Sequence, residues 1–177
     1  MRTKVITLLA LVMLVAAPIV AQTNAAAPAG DKWTLSLGGG GLTTTGDNSQ
    51  SSFSLSGSLG RTGTFPILFE LPTEFGVRQS INYNSDNGGK TLLDTSVYYD
   101  LTVVRLFKDK LDLFLGANFG YTYGNTTPMW RVAPEGGARW WFRDDIAVLA
   151  RLDYPYDLSN GRMQEILNYF IGLEVKF

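Results

Sequence analysis

The chain has 177 residues, of which 45% are hydrophobic, 12% aromatic and only 18% charged, with a formal net charge of −1. That length suits a single domain, and the near-neutral charge excludes a nucleic-acid binder, which needs a strongly basic face. The sequence contains no Cys and no His, which removes disulfide frames, thiolate nucleophiles, zinc–thiolate sites and the commonest general base.

In chain order, residues 1–21 read as a cleaved signal peptide. Arg2 and Lys4 form a short positive region, an apolar run follows from Val5 to Ala17, and the small residue Ala21 marks the cleavage site, with Ala25 to Ala27 as the weaker alternative. The run up to Ala21 contains Pro18 and is at the lower limit of length for a membrane-spanning helix. Residues 22–30 are small and polar and are expected to form a flexible N-terminal arm. Residues 31–177 are expected to form the folded domain.

From Asp31 onward the dominant hydrophobic period is two, the period of a strand. Eight such segments occur, at 32–42, 51–61, 70–83, 91–107, 111–123, 129–142, 146–154 and 165–177. The last is the clearest. Tyr169, Ile171, Leu173, Val175 and Phe177 share one face, and Phe170, Gly172, Glu174 and Lys176 the other. The fifth repeats this, with Leu111 to Tyr123 alternating against Asp112, Phe114, Gly116, Asn118, Gly120 and Thr122. Runs this long exceed the usual globular strand of ~5–6 residues and match the ~9–11 residues of a tilted membrane strand.

The connections alternate in character. Those at 108–110 and 143–145 are tight and charged, whereas those at 43–50, 84–90, 124–128 and 155–164 are longer and polar. A transmembrane barrel has short turns at one rim and longer loops at the other. The stretch 61–69 departs from this rule, being nine residues where a short turn is expected. Aromatic residues fall at strand ends in two groups. Trp33, Phe107, Trp140, Phe142 and Phe177 lie towards the turn rim, and Tyr83, Tyr121, Tyr123, Trp130, Tyr154 and Tyr169 towards the loop rim. Such belts are expected where amphipathic rings meet headgroups. A soluble β-sandwich would instead carry heavily charged outer faces, and here the polar faces are Gly, Ser, Thr and Asn with few Lys. The predicted fold is therefore all-β: a closed, eight-stranded antiparallel transmembrane barrel following the signal peptide.

The eight-strand plan, the signal peptide, the final Tyr169-x-Ile171-x-Leu173-x-Val175-x-Phe177 and the stretch Ala133-Pro-Glu-Gly-Gly-Ala-Arg-Trp-Trp-Phe142 together resemble small bacterial outer-membrane barrels of the OmpA-transmembrane-domain and OmpX type. The resemblance implies a monomer in the outer membrane of a Gram-negative-type bacterium, surrounded by outer-membrane lipids. It also implies that Tyr169, Ile171, Leu173, Val175 and Phe177 form the signal read by the barrel-assembly machinery during insertion.

Inward parity collects Glu74, Arg78, Asp100, Asp112, Glu135, Arg139, Arg151, Asp153 and Glu174. The lumen of an eight-stranded barrel is only wide enough for side chains to fill it, and buried charges must be paired. The expectation is an ionic plug built from Glu74, Arg78, Asp100, Glu135, Arg139 and Arg151. Glu74 is expected opposite Asp100, a like-charge pair needing Arg78 or Arg139, and Glu135 is expected opposite Arg151. Outer-membrane barrels that act as enzymes rely on a rim His, by the same resemblance, and this chain has none. Asp153 and Asp157 remain as a carboxylate pair beside a loop. The four glycines Gly38 to Gly41 lack the Lys-Ser/Thr of a phosphate loop. No catalytic residue, metal or cofactor is expected. The expected role is passive, structural or at the cell surface, with a narrow conduit for small, even hydrophobic, solutes as the alternative and adhesion through the loops as the third reading.

Overall fold

The computed structural model describes residues 32–44, 51–64, 71–84, 90–124, 128–163 and 166–177. The expected signal peptide (1–21) and arm (22–30) lie outside them. Eight long strands form the molecule: β1 (Trp33–Thr44), β2 (Ser51–Thr64), β3 (Pro72–Asn84), β4 (Lys90–Leu106), β5 (Leu111–Gly124), β6 (Met129–Trp141), β7 (Ile146–Asp153) and β8 (Ile166–Lys176). Each pairs antiparallel with its neighbours in the chain, and β8 returns to pair with β1. The sheet thus closes on itself and leaves no free edge. The seam runs from Thr34 opposite Lys176 to Thr44 opposite Ile166. Reciprocal backbone hydrogen bonds between Trp33 and Phe177, both 3.0 Å, extend it towards the turn end.

Alternation along each strand sorts side chains between lumen and outer wall. Among the described residues, 25 large apolar side chains are exposed, whereas 22 polar or charged residues are buried. Leu37, Ile171 and Phe177, for example, are 63–70% exposed, while Glu74, Arg78, Asp100 and Arg139 are buried. A soluble sandwich has the opposite sorting, so that architecture is excluded; a wall this apolar matches hydrocarbon. Among the described residues no helix is long and apolar enough to cross a membrane, and here the strands do so.

Four local features depart from the simple reading of the sequence. First, β2 continues through Thr64, with Thr62, Gly63 and Thr64 opposite Glu74, Thr73 and Pro72, so part of the stretch 61–69 is strand and not connection. Second, the loop expected at 155–164 contains a two-residue ribbon, Tyr156–Asp157 paired with Arg162–Met163. Tyr156 and Asp157 continue the pairing to β6 at Val132 and Arg131 after β7 has ended. Pro155, which has no N–H to give a ladder, marks the break, and the Asp157 carboxylate closes the turn by accepting from Ser159 N, Asn160 N and Asn160 Nδ2 at 2.7–3.0 Å. Third, a bulge between Thr102 and Val104 shifts the β4–β5 register and turns Arg105 inward, opposite Asp112. Fourth, the β4–β5 turn places Phe107, Lys108 and Asp109 all at positive φ (53°, 57° and 65°), the left-handed region that non-glycine residues seldom occupy.

Candidate functional site

The lumen is filled by a charge network in three connected tiers. At the turn end, Arg139 on β6 reaches three carboxylates. Its Nη2 donates to Glu74 Oε2 (2.9 Å) and Asp100 Oδ2 (3.3 Å), and its Nε donates to Glu174 Oε2 (3.0 Å). Glu74 and Asp100 are register partners on β3 and β4, so two carboxylates stand side by side and a third, on β8, faces them. Arg139 is the cation that joins them, and Arg78 is not. Glu74 Oε1 also accepts from Thr34 Oγ1 (2.9 Å) and Tyr98 OH (2.6 Å).

In the middle tier Arg78 donates from both Nη atoms to Glu135, at 2.8 and 3.3 Å. A fork meeting a carboxylate in this way is among the stronger charged hydrogen-bond geometries. Arg151 Nε lies farther off, 3.9 Å from Glu135 Oε2. The expected pairing of Glu135 directly opposite Arg151 is not the register found: Glu135 faces Asp153, and Arg151 faces Gly137. The hairpin closes through Phe142 N and Arg143 N donating to Ile146 O, at the turn expected over 143–145. That turn aligns Phe142 with Ile146 and so Glu135 with Asp153, and the expected Glu135–Arg151 pairing was two residues out of step with it. A two-residue slip keeps the inward face, so Arg151 still enters the lumen and reaches Glu135 diagonally.

The tier at the loop end is built on Arg131 and Asp94. Arg131 Nε and Nη2 donate to the two oxygens of Asp94 at 2.6 and 2.5 Å. Thr122 Oγ1 donates to Asp94 Oδ2 at 2.8 Å, and Asp153 accepts from Asn168 Nδ2 at 2.5 Å. Asn118 ties this tier to the middle one, its Nδ2 donating to Glu135 (2.8 Å) and its Oδ1 accepting from Arg131 Nη1 (2.6 Å). Tyr98 ties the other two, its hydroxyl on Glu74 and its ring 4.6 Å from the Arg78 guanidinium.

Aromatic rings complete the packing. Arg139 lies 4.2 Å from the Phe114 ring, Arg151 4.5 Å from Phe170, and Lys176 3.6 Å from Trp141. Phe114 and Phe170 cluster with Leu149 inside the barrel. An inward Cβ at Gly137 would stand 2.6 Å from the Phe114 ring, so the glycine is what lets that ring lie flat against the wall beneath Arg139. The signs are not balanced within the column. Eight buried carboxylates accompany four buried arginines among the described residues; Arg139 serves three of them and Arg131 two, whereas Arg78 and Arg151 share Glu135.

All six residues expected in the plug lie in the lumen: Glu74, Asp100 and Arg139 in one tier, and Arg78, Glu135 and Arg151 in the next. Asp94, Arg131, Asn118 and Tyr98 were missed, although each stands on the inward parity of its strand. Asp153 faces the lumen and Asp157 holds the loop turn, and among the described residues no three acids are grouped to hold a metal. Tyr169, Ile171, Leu173, Val175 and Phe177 all point outward from β8 and are exposed. At the loop end of the wall Trp130 stacks on Phe119 (5.2 Å) and meets Tyr121 (4.7 Å).

No protein-family model matches the sequence, and no curated protein matches it. Among solved structures, the crystal structure of Neisserial surface protein A superposes with a TM-score of 0.59 at 13% identity, covering 84% of this chain and 98% of that one. A de novo designed transmembrane β-barrel superposes with a TM-score of 0.52 at 15% identity, covering 86% of this chain and 100% of that one. At such identities the likeness is one of architecture, and the architecture is that of a small, closed, eight-stranded antiparallel barrel of the outer-membrane type.

Proposed function

We propose that this protein is a passive structural or surface barrel of the bacterial outer membrane, monomeric, surrounded by outer-membrane lipids and without catalytic activity. The observation that carries this reading is the continuity of the luminal network. Side chains from seven of the eight strands, β1 and β3 to β8, are joined from Glu174 and Arg139 at one end to Asp94 and Arg131 at the other. Cavities of about 510 Å³ and 90 Å³ lie at its two ends. Opening the column would strand buried charges without partners, which costs several kcal/mol per ion. The test is planar-bilayer recording on refolded protein. The expected result is a silent bilayer, and steady ohmic conductance would overturn the closed reading.

The second reading, a narrow channel, draws support from one wall of the lumen. There β1 and β2 contribute the small buried side chains Ser36, Ser54, Ser56 and Ser58, so the column has little bulk along that wall. Such a wall suits a small hydrophilic solute and not a hydrophobic one. In the same recordings, this reading requires conductance that persists when the tiers are intact.

A further inference from the structure

The turn end of the barrel opens into the vestibule of about 510 Å³, which stops at the Arg139 tier. Among the described residues seven cationic side chains and four carboxylates line it. Three more carboxylates, Asp100, Glu174 and Asp145, pair with Arg139 and Arg143, so the mouth is balanced in formal charge. What sets it apart is which cations are left uncommitted. The inner carboxylates are already engaged. Glu74 is held by Arg139, and Asp112 accepts from Trp141 Nε1 at 2.8 Å with Arg105 Nε 3.4 Å away. Two of the cations are likewise engaged, Arg139 in its tier and Arg143 with Asp145 at 3.2 Å.

Lys32, Lys108, Lys110 and Lys176 are left without a salt bridge among the described residues. They arrive from three separate places, the start of β1, the β4–β5 turn and the end of β8. Lys176 is the most enclosed, with its ammonium against the Trp141 ring. Lys108 and Lys110 are carried by the left-handed turn at Phe107–Asp109. The opposite mouth differs in kind. Among the described residues no lysine lines its cavity, and its arginines are bound to Asp94 and Glu135.

We propose that the turn-end vestibule is an anion site for a doubly charged phosphate group, carried either by a small soluble molecule or by a lipid headgroup at that face. Lysine is a compact point charge suited to phosphate, and a phosphate monoester brings about −1.5 to −2 of charge near neutral pH. A single carboxylate offers two acceptor oxygens to these four ammonium groups, fewer than the three that a phosphate group offers. The volume falls within the ~300–1,000 Å³ usual for small-ligand sites. The site stands on the geometry of one mouth and is independent of whether the lumen conducts.

The test is titration of inorganic phosphate into isotope-labelled, refolded protein in maltoside micelles, whose headgroups carry no phosphate, followed by backbone amide shifts. Saturable shifts are expected at Lys108–Asp112 and Glu174–Phe177. The Lys108→Gln/Lys110→Gln double variant, on the exposed turn, is expected to raise the dissociation constant roughly fivefold to tenfold, and Lys176→Gln to raise it as well. Lys90→Gln, at the opposite mouth, is expected to leave it unchanged. Micelles doped with phosphatidic acid separate the two sources: loss of the phosphate response identifies the lipid headgroup, and an undiminished response identifies a soluble phosphate. No saturable shift in undoped micelles, or equal weakening by Lys90→Gln, overturns the proposal.

Discussion

At the scale of single residues, Arg139 has the most demanding position in the molecule. Among the described residues it is the one cation ion-paired with Glu74, Asp100 and Glu174, so Arg139→Ala leaves three buried carboxylates facing one another. The expected loss is about 3–5 kcal/mol, read from urea unfolding of the refolded barrel, and an unchanged midpoint would show that this tier contributes no stability. Arg139→Lys is expected to recover only part, because an ammonium lacks the fork that serves several acceptors at once. Asp109 offers the opposite case. It sits at φ 65° in the β4–β5 turn, so Asp109→Gly is expected to stabilise by about 0.5–1 kcal/mol, as glycine enters that region without steric cost, and the same unfolding assay checks it. Inward parity was legible in the sequence for every member of the network. The choice of partners was not. Arg78 joins Glu135 across 57 positions of chain, and that choice depends on the reach of long side chains over the lumen, which no local pattern encodes.

At the scale of elements, β8 carries two roles that experiment can separate. Its outward residues Tyr169, Ile171, Leu173, Val175 and Phe177 cover the wall, and Phe177 exchanges two backbone hydrogen bonds with Trp33 at the seam. Deleting Phe177 is expected to slow spontaneous refolding into detergent modestly, because only a terminal pair is lost. If the strand also serves as an assembly signal, insertion in cells falls much further than refolding. Equal losses in both assays would leave β8 with the seam role alone. Strand positions were legible because a two-residue period with one apolar face is a direct consequence of the pleat. The β6–β7 register was legible too, since a turn over 143–145 puts Phe142 opposite Ile146 and hence Glu135 opposite Asp153; the expected Glu135–Arg151 pairing miscounted along it by two residues. The ribbon at Tyr156–Met163 had a readable signal: Asp157 followed by Ser159, Asn160 and Gly161, the last at φ 64°, is turn chemistry.

At the scale of the whole molecule, the sorting of side chains is inverted relative to a water-soluble fold, with an apolar outer wall and a charged interior. Refolded protein is therefore expected to show β-type circular dichroism and to migrate in detergent gels at a position that changes on boiling. A well-ordered monomer in plain buffer would contradict the membrane reading. This inversion was legible from composition together with parity, because the faces opposite the bulky residues are Gly, Ser, Thr and Asn.

The seam between β1 and β8 also has a consequence for how the molecule comes into being. Glu174 enters the Arg139 tier from β8, the last strand of the chain, while Thr34 touches Glu74 from β1, the first. Until these two strands meet, an open sheet presents buried-type charges along one face and cannot settle into hydrocarbon without stranding them. Closure and insertion are thereby coupled: a partly zipped sheet stays at the water boundary, and only the finished cylinder hides its ions from the lipid. The polar interior thus acts as a checkpoint during biogenesis, holding back the chain until the first strand has found the last.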